Sequence, residues 1–423
     1  MDGPMNTQDL TQLTATQARG LIRSGDITAL DLTRACLGRI AARDDAVRAW
    51  ITLNPQAEAE AAKITPDDTR PLAGIPVGVK DMIDTADMPT THNSPLYGTN
   101  RPANDAPCVE ILRAAGAIIL GKTDTTEFAA AGRNAITGNP HDVTRTPGGS
   151  SSGSVAAVGD GQVPLALGTQ TGGSTIRPAS FCGDFALKPS WGLISTEGVK
   201  RYSVSFDTVG LIARSVADLS LLADVYALPP APALHKGRLR IGITQTPFAD
   251  LLEPETHDLF RNLPERLAPV ADLMDFDLPD GFDVVDDLHR CVMFSEGASA
   301  MLNMARTRGA LLHKDFHDRV EMKMGFTRRD HFEAYDKLAM LRIDLEQRLS
   351  DVDALIAPSA PGFAPVGRTP GNPVFNAPWT AMQVPVVNVP VAGLPLPLGI
   401  SVIGKRAFDR QVLDVAARLA GCL

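Results

Sequence analysis

Serine, glycine and lysine are the residues here that could do chemistry together. Residues 146–191 read TPGGSSSGSVAAVGDGQVPLALGTQTGGSTIRPASFCGDFALKPSW, with glycine–serine clusters at 148–154 and 172–174. A serine hydroxyl becomes a nucleophile, or a relay, once a base takes its proton. Glycine has no Cβ, so its backbone N–H groups can close on a ligand. A linker would stay polar, but residues 155–158 and 163–167 are apolar, which puts the stretch inside a domain. None of the eight histidines lies within it, so the base must come from elsewhere. A lysine serves if burial keeps it neutral. Lys80, after Ile75, Val77 and Val79, is placed for that, the lesser alternative being a strand-end lysine reaching solvent.

Three other patterns are weaker. GAIILGKT at 116–123 matches a phosphate-binding loop literally, but its middle residues are themselves strand-forming. GSSSG at 149–153 matches a nucleophile elbow centred on Ser151, yet polar, turn-forming residues precede it where a strand is required. His313 and His317 share a helix face without the glutamate of a zinc motif, so a solvated face is expected and no metal.

Segments around these residues must position them. Residues 8–63 read as helices, with Thr28 and Asp31 spaced as a capping box. Strands are expected at 71–80, 117–120, 163–167, 238–244, 355–357, 384–391 and 398–403. Helices are expected at 109–115, from 155, at 215–226, through most of 255–350 and at 411–419. This alternation predicts one α/β domain over 1–423, with a helical portion at 1–65 and a catalytic core at 66–423. Its central twisted sheet is expected to be mixed, largely parallel and covered by helices on both faces.

The composition is globular: 423 residues, 44% hydrophobic and 21% charged. A net charge of −9 argues against direct nucleic-acid binding. Five scattered cysteines without a CxxC suit reduced thiols in a cytoplasm. The start, MDGPMNTQDLTQ, lacks a signal-peptide pattern, and no apolar run is long enough to span a membrane.

The chain resembles the amidase signature family of serine amidohydrolases. The likeness rests on GIPVGVKD at 74–81, GKTDTTEFA at 121–129, the glycine–serine stretch, FCGDFALKPSWG at 181–192 and GLPLPLGISVIG at 393–404. It implies a Ser–cis-Ser–Lys triad of Ser174 as nucleophile, Ser150 as relay and Lys80 as base. It also implies an oxyanion hole from backbone N–H groups of Thr171, Gly172, Gly173 and Ser174, and needs no cofactor. Such preorganised donors are a large catalytic contribution, about 3 kcal/mol for one of them.

Three departures are visible. Gln170 stands where the family often has Asp, and Arg177 lies three residues after the nucleophile instead of two. The malonamidase-like branch is similar in this respect, and there the arginine faces a substrate carboxylate. Arg177 is therefore either an anchor for an acidic substrate or a structural partner of an acid such as Asp184. Ser152 also replaces a common glycine. Residues 85–105 and 290–380 should set the acyl preference, with Tyr97, Phe128, Met293, Phe375 and Trp379 as candidate lining.

The expectation is an amidase releasing ammonia from a small linear carboxamide, an acid-amide such as malonamate being one candidate. The chain is short for the family, which favours small amides, and a homodimer is expected. The alternatives are the A subunit of a tRNA-dependent amidotransferase, a hydrolase of urea-like amides (biuret or allophanate), and a catalytically silent binding protein of this fold.

Overall fold

The computed structural model describes residues 10–423; the reading of the first nine residues as a polar start lies outside them. Helices α1 (Ala15–Ser24) and α2 (Ala29–Val47) open the described chain, and both begin with a capping box, Thr14 with Gln17 and Thr28 with Asp31. A cap of this kind stabilises a helix by about 1 kcal/mol. The expected run of helices to residue 63 is interrupted by β1 (Trp50–Leu53), and α3 (Ala57–Ala61) follows. β1 escapes a periodicity search because it is a short, half-exposed edge strand.

Eleven strands form one sheet: β1, β2 (Pro76–Lys80), β3 (Ile118–Thr123), β4 (Leu165–Gln170), β5 (Phe185–Lys188), β6 (Thr208–Ala213), β7 (Leu239–Ile243), β8 (Ala271–Asp275), β9 (Ala354–Pro358), β10 (Val386–Pro390) and β11 (Gly399–Ile403). Their order is β1-β3-β2-β4-β6-β5-β10-β11-β9-β7-β8. Every residue of β2, β3, β4, β6, β9 and β11 is buried. Successive strand side chains point to opposite faces, so both faces there are covered.

The sheet is mixed, as expected, but it is not largely parallel. Parallel pairing is confined to β3-β2-β4 and β9-β7-β8, and the six other pairs are antiparallel. Four of the antiparallel pairs involve β1, β5 or β6, which lie in segments where no strand was expected; β8, also unexpected, pairs parallel with β7. The literal phosphate-loop match falls in β3, whose Ile118, Ile119 and Leu120 are buried strand residues.

The N-terminal portion is continuous with this sheet. β1 pairs with β3, and Asp218, on a distant helix, caps α1 by accepting from the N–H groups of Ala15 (3.1 Å) and Thr16 (2.8 Å). No described helix is long and apolar enough to cross a membrane.

Candidate active site

β2 and β4 are parallel neighbours, so their C-terminal ends lie side by side. That places Lys80, the last residue of β2, against Thr169 near the end of β4. The first glycine–serine cluster leads into α4 (Ser152–Gly159), and β4 leads through residues 171–174 into α5 (Ile176–Cys182). Both clusters therefore converge on one strand end.

Lys80 is fully buried. Its Nζ lies 2.7 Å from Ser150 Oγ, 3.1 Å from Ser151 Oγ and 2.7 Å from Thr169 Oγ1. It makes no ion pair among the described residues. Burial pushes its pKa well below the usual lysine range, opposed by the Asp207 carboxylate. Ser151 donates its own proton to the Thr169 carbonyl (3.1 Å), so towards Lys80 it can only accept. A neutral amine has two protons and one lone pair; donating to two hydroxyls leaves the lone pair for the third. The peptide bond before Ser150 is cis, as the resemblance implied.

Ser150 and Ser174 line one cavity of about 290 Å³, with Thr171, Gly172, Gly173 and Arg177. Ser174 is partly exposed there, and its hydroxyl has no partner among the described residues. The N–H groups of Gly172, Gly173 and Ser174 likewise meet no acceptor among the described residues. A side chain at Gly173 would collide with Asn376 Oδ1 (2.6 Å from an ideal Cβ) and Arg177 Nη1 (2.8 Å), so this turn closes only on glycine.

Arg177 is buried and does not pair with Asp184. Its Nε donates to the Pro370 carbonyl (2.7 Å) and its Nη2 to the Gly149 carbonyl (2.6 Å). Nη1 is left unpartnered, as is Asp184 Oδ2. Burial lowers the pKa of Arg177 to about 9 and raises that of Asp184 well above the carboxylate range. The structural alternative is thus corrected: the partners of Arg177 are the backbone carbonyls of Pro370 and Gly149, and Asp184 is not among them.

Gln170 performs a neutral task. Its Oε1 accepts from the N–H groups of Thr175 (2.9 Å) and Ile176 (3.0 Å), capping α5, while its Nε2 donates to Thr380 Oγ1 (2.9 Å). Ser152 Oγ donates to the Gly148 carbonyl at 2.8 Å, which gives the unexplained serine a local role.

Of the five expected lining residues, only Met293, on α6 (Val285–Arg308), faces the cavity. Phe375 and Trp379 are fully buried, and Phe128 and Tyr97 belong to a separate apolar cluster behind the wall. Their chain neighbours Ala129, Ala130 and Ala377 line the cavity instead. His313 caps its helix and His317 bonds the Gly309 carbonyl (2.9 Å); the described residues contain no metal-binding cluster.

Sequence reasoning missed Thr169, Asp207, His289 and Thr380. Asp207 accepts from Thr171 Oγ1 (2.5 Å) and from the N–H groups of Tyr202 (2.7 Å) and Ser203 (3.0 Å). Burial raises its pKa to about 6. His289 Nε2 lies 2.8 Å from the Thr171 carbonyl.

A shielded lysine, two serines and a turn of free N–H groups can support acyl transfer, and the comparisons agree with this geometry. The family model for amidases matches residues 31–413. The chain is similar to the A subunit of glutamyl-tRNA(Gln) amidotransferase from Chloroflexus aurantiacus, 34% identical over 96% of this chain and 95% of that protein. It is similar to the crystal structure of an amidase, with 29% identity, a TM-score of 0.88 and coverage of 97% and 100%. It is also similar to the structure of a vestigial protein complex bearing on the origins of an s-triazine catabolic enzyme, with 28% identity, a TM-score of 0.86 and coverage of 97% and 98%. The chain belongs to the amidase signature family and is an amide-hydrolysing enzyme.

Proposed function

We propose that the protein hydrolyses a small linear carboxamide carrying an acidic group, through Ser174, Ser150 and Lys80. Ser174 Oγ attacks the amide carbonyl, and its proton passes through Ser150 to neutral Lys80. The oxyanion is met by N–H groups of the 171–174 turn. The proton returns to the departing nitrogen, the C–N bond breaks, and ammonia leaves. Water then attacks the acyl ester by the same route, releasing carboxylate and restoring Ser174.

The observation that carries this reading is the Lys80 environment: complete burial, hydroxyl partners only, and no ion pair. The acidic group is proposed from Arg177, whose unpartnered Nη1 lies beside Gly173 in the cavity wall. Ser174→Ala should abolish ammonia release while keeping the wild-type circular dichroism spectrum; undiminished turnover would sink the assignment. A panel of acetamide, malonamate, aryl amides and biuret-like ureas identifies the class. Arg177→Met should raise KM selectively for malonamate.

The second reading is an amidotransferase A subunit, favoured by the 34% identical relative of that name. That alignment spans 469 positions, more than this chain has, so the relative carries segments absent here. Ammonia release by the purified chain supports the hydrolase; activity only with partner subunits supports the amidotransferase. A silent binding protein would leave Ser174 unlabelled by a fluorophosphonate. Cytoplasmic location is proposed from the five free thiols.

A homodimer is proposed across α7 (Arg328–Arg348), which is apolar on two sides. Away from the core it exposes Phe332 (68%), Tyr335 (44%), Met340 (68%) and Ile343 (52%). An antiparallel copy in two-fold register sets Phe332 opposite Ile343, Tyr335 opposite Met340, and Arg329 opposite Glu346. Met340→Glu should convert the dimer to a monomer by light scattering.

A further inference from the structure

The turn at 171–174 is held from outside, one peptide plane at a time. The Thr171 carbonyl accepts from His289 Nε2 at 2.8 Å. The Gly172 carbonyl accepts from Thr380 Oγ1 at 2.6 Å. The Gly173 carbonyl accepts from the Arg177 N–H at 3.2 Å, within the start of α5. In a trans peptide the carbonyl and the following N–H point in opposite directions. Fixing three consecutive carbonyls therefore aims the N–H groups of Gly172, Gly173 and Ser174 the other way, and these are the donors without acceptors.

We infer that His289 and Thr380 are positioning residues, whose hydrogen bonds to the Thr171 and Gly172 carbonyls set the direction of the oxyanion-hole N–H groups. The third carbonyl is held by backbone, so these two side chains are the adjustable clamps. Glycines at 172 and 173 make the clamps necessary, because glycine gives the turn no conformational preference of its own.

Each clamp is itself braced. His289 stacks on Phe206 with ring centroids 4.6 Å apart. A carbonyl can only accept, so the imidazole carries its proton on Nε2. Burial lowers its pKa to about 4, so this arrangement holds across the neutral range. Thr380 sits on α8 (Ala377–Ala381) and accepts from Gln170 Nε2 at 2.9 Å, so its own proton goes to a carbonyl, and Gly172 at 2.6 Å is much nearer than Asn376 of its own helix at 3.3 Å. An acidic side chain at 170 could not make that donation. The departure at Gln170 thus belongs to the same device.

The inference rests on the reading of Ser174 as nucleophile. It is tested with an alkyl fluorophosphonate, whose phosphoryl oxygen occupies the oxyanion position during attack by Ser174. The measured quantities are the limiting inactivation rate kinact and the half-saturation constant KI. Displacing preorganised donors costs rate and not initial binding. Thr380→Val and His289→Ala should each lower kinact by about 10- to 100-fold with KI within about twofold. Thr380→Ser, which keeps the hydroxyl, and His289→Gln, which keeps a donor near the Nε2 position, should recover most of that loss. Thr380→Val changes shape least, so it decides the matter if His289→Ala fails to fold. Unchanged kinact in folded Thr380→Val, or a loss confined to KI, overturns the positioning role alone. No labelling of wild-type Ser174 overturns the nucleophile reading, and the inference with it.

Discussion

Two lysines on neighbouring strands are equally buried and differently employed. Lys80 ends β2, and Lys122 lies in the adjacent β3; neither is exposed to solvent. Lys122 Nζ lies 3.2 Å from Asp81 Oδ1 and donates to Thr90 Oγ1 at 2.6 Å. Lys80 meets three hydroxyls and no carboxylate. Burial lowers both pKa values, but at Lys122 the carboxylate of Asp81 opposes the shift from within an ion pair. A buried charge persists where it is paired, and a buried amine with only neutral partners sheds its proton. The same residue type thus becomes a structural cation in one strand and a candidate base in the next.

That contrast can be broken by removing each amine in turn. Lys80→Met should lower kcat/KM by about 10²- to 10⁴-fold, the range for losing a general base. Lys122→Met strands Asp81 in the interior and should cost about 3–5 kcal/mol in urea unfolding, while turnover per folded molecule is preserved. If Lys80→Met proves the less stable of the two, or Lys122→Met selectively loses turnover, the division of labour is wrong. A subtler test concerns the hydroxyl cradle. Ser151→Ala removes a hydroxyl that accepts from Lys80 and should cost about 1–3 kcal/mol of stability. Its effect on rate should be smaller than that of Ser150→Ala, which breaks the proposed relay.

Much of this site could be read from the sequence, since local pattern carries it. Lys80, Ser150 and Ser174 sit in short motifs rich in glycine and serine, and the strands that hold them are short apolar runs. The clamps could not be read in this way. His289 is 118 residues from Thr171, in a segment with the pattern of an ordinary helix, and Thr380 is 208 residues from Gly172, in a short stretch where no element was expected. Phe375 and Trp379 illustrate the opposite error: large apolar residues in the right segment suggested a pocket, but their size made them core, and small neighbours form the wall. β6 was missed because TVGLIA between serine-rich segments has neither strand alternation nor helical period. Parallel and antiparallel pairing is likewise set by long-range topology, which residue periodicity does not encode.

The central claim is that Lys80 is neutral when it acts, and the pH dependence of kcat/KM reports the free enzyme most directly. Between pH 6 and 10, wild type should rise with pH to a plateau, with its midpoint well below the lysine value of about 10.4. The Asp207 carboxylate opposes the lowering of the Lys80 pKa, so Asp207→Asn should move that midpoint to lower pH. A flat wild-type profile, or a midpoint that moves to higher pH in Asp207→Asn, would contradict the account.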